Sequence, residues 1–92
     1  MSQGIYKITN TINGKCYVGK SVDIKRRWAE HKKISKRKDV QEQKGFLLSK
    51  ALKKYGLNNF KFEILELVKD ENNLIEREKF YYNLYNYNLY QS

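Results

Sequence analysis

The dipeptide Asn13-Gly14 stands between two alternating runs, Gly4 to Thr9 and Lys15 to Gly19. Asn-Gly suits a type I′ hairpin turn, whose two central residues need positive φ, so the runs read as two antiparallel strands. In a two- or four-residue-loop register, cross-strand partners share a face. Tyr6, Ile8, Asn10 and Tyr17 then lie on one side of the hairpin, with Ile5, Cys16 and Val18 on the other.

A helix follows from about Val22 to Lys33, with Ser21 or Asp23 as its N-cap. Ile24 and Trp28 form its apolar stripe, and Arg27 and His31 stand beside that stripe at i, i+4. The stretch Lys33 to Lys44 is polar and aperiodic, a mobile loop or a solvated helical extension. Leu48, Ala51, Leu52 and Tyr55 repeat as a second helix, and Gly56 sits where a left-handed C′ residue belongs. Phe60, Phe62 and Ile64 alternate with Lys61 and Glu63 as a third strand. Asp70 or Asn72 can cap a third helix from Leu74 to about Tyr85, and the Tyr- and Asn-rich tail Tyr81 to Tyr90 closes the core. The expectation is one α/β (α+β) domain over residues 1–92. Its order is β-β-α-α-β-α, with a small three-stranded, mainly antiparallel sheet flanked by helices.

Ninety-two residues bury only about 60–65% of their unfolded surface, so stability is expected to be marginal. A lone Cys16 excludes an internal disulfide and points to a reducing compartment. With no signal-peptide pattern and no apolar run near the roughly 20 residues of a membrane span, the expected location is the cytoplasm and no membrane partner is expected. Nineteen Lys and Arg against 10 Asp and Glu leave +9 and favour a polyanionic partner, nucleic acid ahead of a membrane surface or ribosome. The cations expected to meet it are Lys25, Arg26 and Lys32 on the first helix and Lys50, Lys53 and Lys54 on the second.

Glu78 is the sharpest anomaly. On a helix, Leu74, Ile75, Tyr81, Tyr82 and Tyr85 make one apolar arc, and Glu78 falls inside it. A carboxylate there has to be neutralised, ion-paired or bound to a metal, because a buried lone charge costs several kcal/mol. The pattern leaves a structural ion pair and a metal ligand equally open. Arg27 at the edge of a core face suits bidentate phosphate binding, with His31 a second donor or proton carrier; the plain alternative is a solvated basic helix. Tyr6 and Tyr17 are core aromatics by default, but Lys20 close after Tyr17 is a cation that favours phenolate and hence a base. No Cys/His metal spacing, phosphate-cradling Gly-rich loop or Ser/His/Asp set is present.

Taken in order, Gly4-Ile5-Tyr6, Tyr17-Val18-Gly19, Arg27 with His31, Leu57 to Leu65 after Gly56, Ile75 to Glu78 and a late Asn resemble the GIY-YIG nuclease family over Gly4 to about Leu89. Asn10 to Lys15 and Ile24 to His31 are most similar to the catalytic domains of phage intron-encoded homing endonucleases, and Lys20 also resembles the bacterial excision-repair incision subunit. The resemblance implies a metal-dependent DNA endonuclease. Glu78 would bind one divalent ion, Mg²⁺ with Mn²⁺ as a substitute. Tyr6 or Tyr17 would help deprotonate water, Arg27 steady the scissile phosphate, His31 assist, and Asn88 order the site through hydrogen bonds.

The chain departs from some homing members in offering no further His before the second helix, only Val40 to Lys44 with Gln43. It also stops at Ser92, where homing enzymes continue into a linker and a DNA-recognition domain. The expectation is therefore a homing-type catalytic domain, served by a separate recognition domain or protein, or a stand-alone minimal nuclease. The host would be a bacterial or phage-infected cell. Two other readings are a non-catalytic nucleic-acid-binding module on the same fold and a structure-selective repair or restriction nuclease. A binding module alone does not require a carboxylate on an apolar face.

Overall fold

Strand β1, Gly4–Asn10, holds the architecture together. Its Ile5, Tyr6 and Ile8 are each at most 1% exposed, so both faces of the strand are covered. That requires β1 to be central. In the computed structural model, which describes residues 2–35 and 46–90, the sheet order is β2-β1-β3, with β2 at Cys16–Ser21, β3 at Phe60–Leu67 and both pairings antiparallel. One face packs Tyr6, Ile8 and Tyr17 against Ile24 of helix α1 (Ile24–Ser35) and against Leu48, Ala51 and Leu52 of α2 (Phe46–Tyr55). The other packs Ile5, Cys16 and Val18 against Val68, Leu89 and Leu74 of α3 (Leu74–Leu84). The hairpin faces divide as the alternation requires, and the sheet is the middle of three layers. Each fully buried Leu or Ile stabilises this arrangement by about 1.5–3 kcal/mol.

The turn differs from the type I′ expectation. Thr9 pairs with Cys16 and the Asn10 N–H bonds the Lys15 carbonyl, so the loop has four residues, Thr11 to Gly14, closed by the Gly14 N–H on the Asn10 carbonyl at 2.8 Å. Only Gly14 takes positive φ, +78°. The side chains of Asn10 and Asn13 instead accept from the N–H groups of Ile12 and Lys15, two Asx turns that set the loop without a left-handed Asn. A four-residue loop keeps the same parity as a two-residue one, which is why the faces come out right.

Of the two caps proposed for α1, Asp23 serves: its Oδ1 accepts from the Arg26 N–H, while Ser21 supports the Asp23 N–H. The polar stretch after it is helical through Ser35, and from position 36 to 45 it lies outside the described residues. Gly56 has the expected positive φ, but its ψ of 145° is extended and outside the left-handed helical basin, so the chain turns directly into the 3₁₀ turn Leu57–Asn59. Asp70, not Asn72, provides the cap before α3, through the 3₁₀ turn Glu71–Asn73.

In β3 the pairing register shifts between Ile5 and Tyr6, which face Glu66 and Ile64, so Leu65 is an extra residue. This bulge puts Leu65 and Glu66 on the α3 face together. Glu66 then takes a bidentate bond from Arg77, 2.7 Å at the shortest, and one from the Tyr81 hydroxyl at 3.0 Å.

Helix α3 corrects the single buried arc. Leu74, Tyr81 and Tyr85 lie within about 20° of one line along the helix and face the sheet. Ile75 and Tyr82, about 80–100° away, are 58% and 41% exposed. Glu78, at about 40°, stands on the seam between core and solvent and is half-buried, with its Oε2 shielded from water. Among the described residues no helix is long and apolar enough to cross a membrane.

Candidate active site

Tyr6 on β1 and Tyr17 on β2 share the α1 face, with ring centroids 6.1 Å apart. Both are buried, and α1 closes over them. Trp28 meets Tyr6 edge-on at 6.3 Å, and His31 lies 5.5 Å from the Tyr17 ring. Tyr6 Oη and His31 Nε2 are 3.0 Å apart in a buried hydrogen bond. Gly19 is the cross-strand partner of Tyr6, and a Cβ there would fall 2.6 Å from Tyr6 Oη. The Tyr6 hydroxyl occupies the space that any larger residue at 19 would need.

Arg27 reaches the same cluster from α1. Its Nη1 donates to Glu30 Oε2 at 3.0 Å, and its guanidinium lies near enough to the Tyr6 hydroxyl for each to act on the other's ionisation. Burial works against its charge, but the Tyr6 hydroxyl and the Glu30 carboxylate outweigh that. Glu78 completes the group from α3, close enough to Tyr17 to act on its ionisation.

The electrostatics depart from the expected phenolate. Burial pushes both hydroxyls up; Tyr17 adds to the shift of Tyr6 and Glu78 to that of Tyr17, while Arg27 opposes each. Both phenols are therefore protonated near neutrality. Lys20 does not help them. It pairs with Ile5, pointing to the other face of the sheet, where it lines a cavity of about 260 Å³ with Ser21, Val22, Glu71, Leu74 and Ile75. Strand alternation alone separates it from Tyr17. Burial, then the Arg27 charge, brings His31 down to about 4, so its imidazole is neutral at pH 7. A neutral Nε2 can accept the Tyr6 proton, which leaves the lone pairs of Tyr6 Oη to accept from a water.

Asn88 is not brought in. It is exposed in the 3₁₀ turn Asn86–Asn88, and among the described residues its side chain meets no hydrogen-bond partner. The tail reaches the hairpin through Tyr90 instead: its N–H bonds the Cys16 carbonyl and its hydroxyl accepts from buried Asn10, 3.0 Å away. Sequence reasoning passed over that tie and over Glu30. An acid three residues after Arg27 was the available signal for Glu30.

Among the described residues no group of three or more His, Cys, Asp or Glu could hold a metal ion. A site of one carboxylate with tyrosine hydroxyls near it offers oxygen donors only, which fits a hard cation that keeps most of its hydration shell. Outside the cluster, α1 and α2 pack side by side and expose Lys25, Arg26, Lys32, Lys50 and Lys54, with Lys53 half-buried. Residues 1–56 carry fifteen Lys and Arg against four acids, and residues 57–92 four against six, so the positive charge sits largely in the half that holds these two helices.

Known proteins share this fold. The intron-associated endonuclease 1 of Enterobacteria phage T4 is 39% identical over 84 residues, 88% of this chain and 32% of that protein. The probable intron-encoded endonuclease 1 of Neurospora crassa is 35% identical over 94 residues, 95% of this chain and 29% of that protein. The chain thus spans about a third of the length of the curated relatives it matches. The solved catalytic domain of the homing endonuclease I-TevI superposes with a TM-score of 0.80 at 34% identity, covering 96% of this chain and 95% of that one. The model of the GIY-YIG catalytic domain matches residues 2–91. The chain belongs to the GIY-YIG family, as a GIY-YIG catalytic domain.

Proposed function

We propose that this domain hydrolyses DNA phosphodiester bonds, with one divalent cation held at Glu78. The observation that carries the reading is the convergence of Tyr6, Tyr17, Arg27, His31 and Glu78 from four different elements, β1, β2, α1 and α3. Mg²⁺ suits an oxygen-only site with one carboxylate, and Mn²⁺ can replace it. When bound, the cation stabilises negative charge on the phosphate and leaving oxygen. The remaining steps belong to the protein. Arg27, braced by Glu30, holds a non-bridging phosphate oxygen. Tyr6, its proton engaged by His31, orients the attacking water through its free lone pairs, with Tyr17 beside it. Within a longer protein, a separate recognition module would supply the target sequence, as in a homing enzyme. Supercoiled plasmid incubated with and without Mg²⁺ tests the reading: nicking only with the metal supports it, and an inert protein in both arms overturns it.

Tyr6→Phe and Tyr17→Phe should each slow plasmid cleavage roughly 10²-fold. Tyr6→Phe should also cost ~1 kcal/mol, because the buried His31 Nε2 loses its partner. If both variants cut at the parental rate in single-turnover assays, the tyrosines are core residues only.

DNA binding should be weak, tolerant of sequence and steeply salt-dependent, because it rests on the α1–α2 cations. Each phosphate neutralised contributes a slope of about −0.9 in log K against log salt. Four to six contacts cost roughly a hundredfold to a few thousandfold in affinity for a fourfold rise in salt. A titration by fluorescence anisotropy checks this; a flat response rules it out.

A further inference from the structure

Helix α3 carries a tyrosine that no step above uses. Tyr82 follows Glu78 by four residues, one helical turn, and lies on the exposed side of the seam. The residue is 41% exposed, while Tyr81 beside it turns inward to Glu66. Side chains four apart on a helix are neighbours, so the Tyr82 ring stands beside the Glu78 carboxylate, and both act on the ionisation of Tyr17. The site thus has two unlike walls. The α1 wall is cationic, with Arg27; the α3 wall beyond Glu78 is the Tyr82 ring, in the half of the chain where acids outnumber bases.

A solvated aromatic edge next to a phosphate site has a chemical use, because every nucleoside presents flat base and sugar surfaces to which a ring can pack regardless of sequence. We propose that Tyr82 contacts the substrate, packing its ring against the nucleoside next to the phosphate that Arg27 holds. This deepens the assignment of DNA as substrate and depends on it. The ring lets α3 approach the DNA where its own acids would otherwise repel phosphate, and it does so without neutralising charge.

The lack of charge is what makes the contact testable. Tyr82→Ala should weaken binding to duplex DNA about tenfold or more in EDTA, with the slope of log K against log salt unchanged. A lysine on α1 changed to alanine should instead reduce that slope by about 0.9. In Mg²⁺, Tyr82→Ala should raise KM more than it lowers kcat, and Tyr82→Phe should behave as the parent within about twofold. Tyr82→Trp guards against a folding defect: it should bind at least as tightly, and the introduced indole should be quenched by DNA beyond the response of Trp28 in the parent. Parental affinity in the alanine variant overturns the proposal, as does equal loss in alanine and phenylalanine variants or an unquenched indole. A parent that neither binds nor cuts DNA overturns the functional reading itself, which keeps the two failures apart.

Discussion

Glu78→Gln should bind DNA and leave it uncut at any Mg²⁺ concentration, a loss of roughly 10³-fold or more. That scale corresponds to several kcal/mol of transition-state charge stabilisation, at 1.36 kcal/mol per factor of ten. The amide keeps the shape of the carboxylate and can still accept hydrogen bonds, but it is a poor ligand for a hard cation. Stability should barely move. Glu78 stands on the seam of α3 and is half-buried, so the fold does not depend on its charge as it would at a fully buried position. A structural ion pair predicts otherwise, since removing one partner of a buried pair costs about 3–5 kcal/mol, more than ten degrees in melting temperature for a domain of this size. Melts in EDTA and in Mg²⁺ separate the two without reference to activity. Mg²⁺ should raise the melting temperature of the parent and leave that of the glutamine variant where it was. A variant that melts far below the parent in EDTA, or one that cuts, assigns the metal to another residue.

The parts of this molecule legible in its sequence are those that depend on periodicity. Tyr6, Ile8 and Tyr17 share a face because side chains alternate along a strand and the hairpin loop is even, and neither fact depends on the turn type. The turn itself was misread, because Asn10 and Asn13 could satisfy the loop with Asx bonds that compete with a left-handed Asn. Lys20 was misplaced by proximity in sequence: three residues from Tyr17, it points away from it, as strand parity requires. The Leu65 bulge did leave a mark, since the alternation of FKFEILEL slips by one residue at Ile64-Leu65, but its effect on Glu66 emerges only once β1 is alongside. Glu78 was legible as an anomaly but not as a seam. The arc pattern gives the angle of each side chain on α3, whereas the width of helix that a narrow sheet covers is a property of the packed molecule. Phenol ionisation runs opposite to the expectation for the same reason. The burial of Tyr6 and Tyr17 outweighs any one neighbouring cation, and burial depth comes from the α1 wall.

Gly4→Ala and Gly19→Ala should both be damaging, and in different ways. A Cβ at Gly4 would lie 2.0 Å from the Glu66 carbonyl oxygen and 3.0 Å from the Leu67 Cα, both backbone atoms of the neighbouring strand. Backbone cannot rotate aside, so β1 and β3 must part at the point where their register already shifts. Strain of this kind costs about 3 kcal/mol or more, against a total of roughly 5–14 kcal/mol for a chain of this length. The expected result is a melting temperature lowered by more than ten degrees, with cleavage per folded molecule largely kept. At Gly19 the Cβ would lie 2.6 Å from Tyr6 Oη, 2.7 Å from Tyr6 Cζ and 2.9 Å from Tyr17 Cε2, all side-chain atoms. These rings can yield by tilting, and the restricted unfolded chain returns about 0.4–1 kcal/mol, so the loss of stability should stay near 1–2 kcal/mol. The hydroxyl of Tyr6 cannot tilt and keep its 3.0 Å bond to His31. Cleavage by Gly19→Ala should therefore fall by about 10²-fold or more in protein that is still folded. Circular-dichroism melts run beside single-turnover cleavage give both quantities for both variants. Should Gly19→Ala cut normally, the position of the Tyr6 hydroxyl is not what the reaction depends on, and the tyrosine–histidine pair must be reassigned to the core.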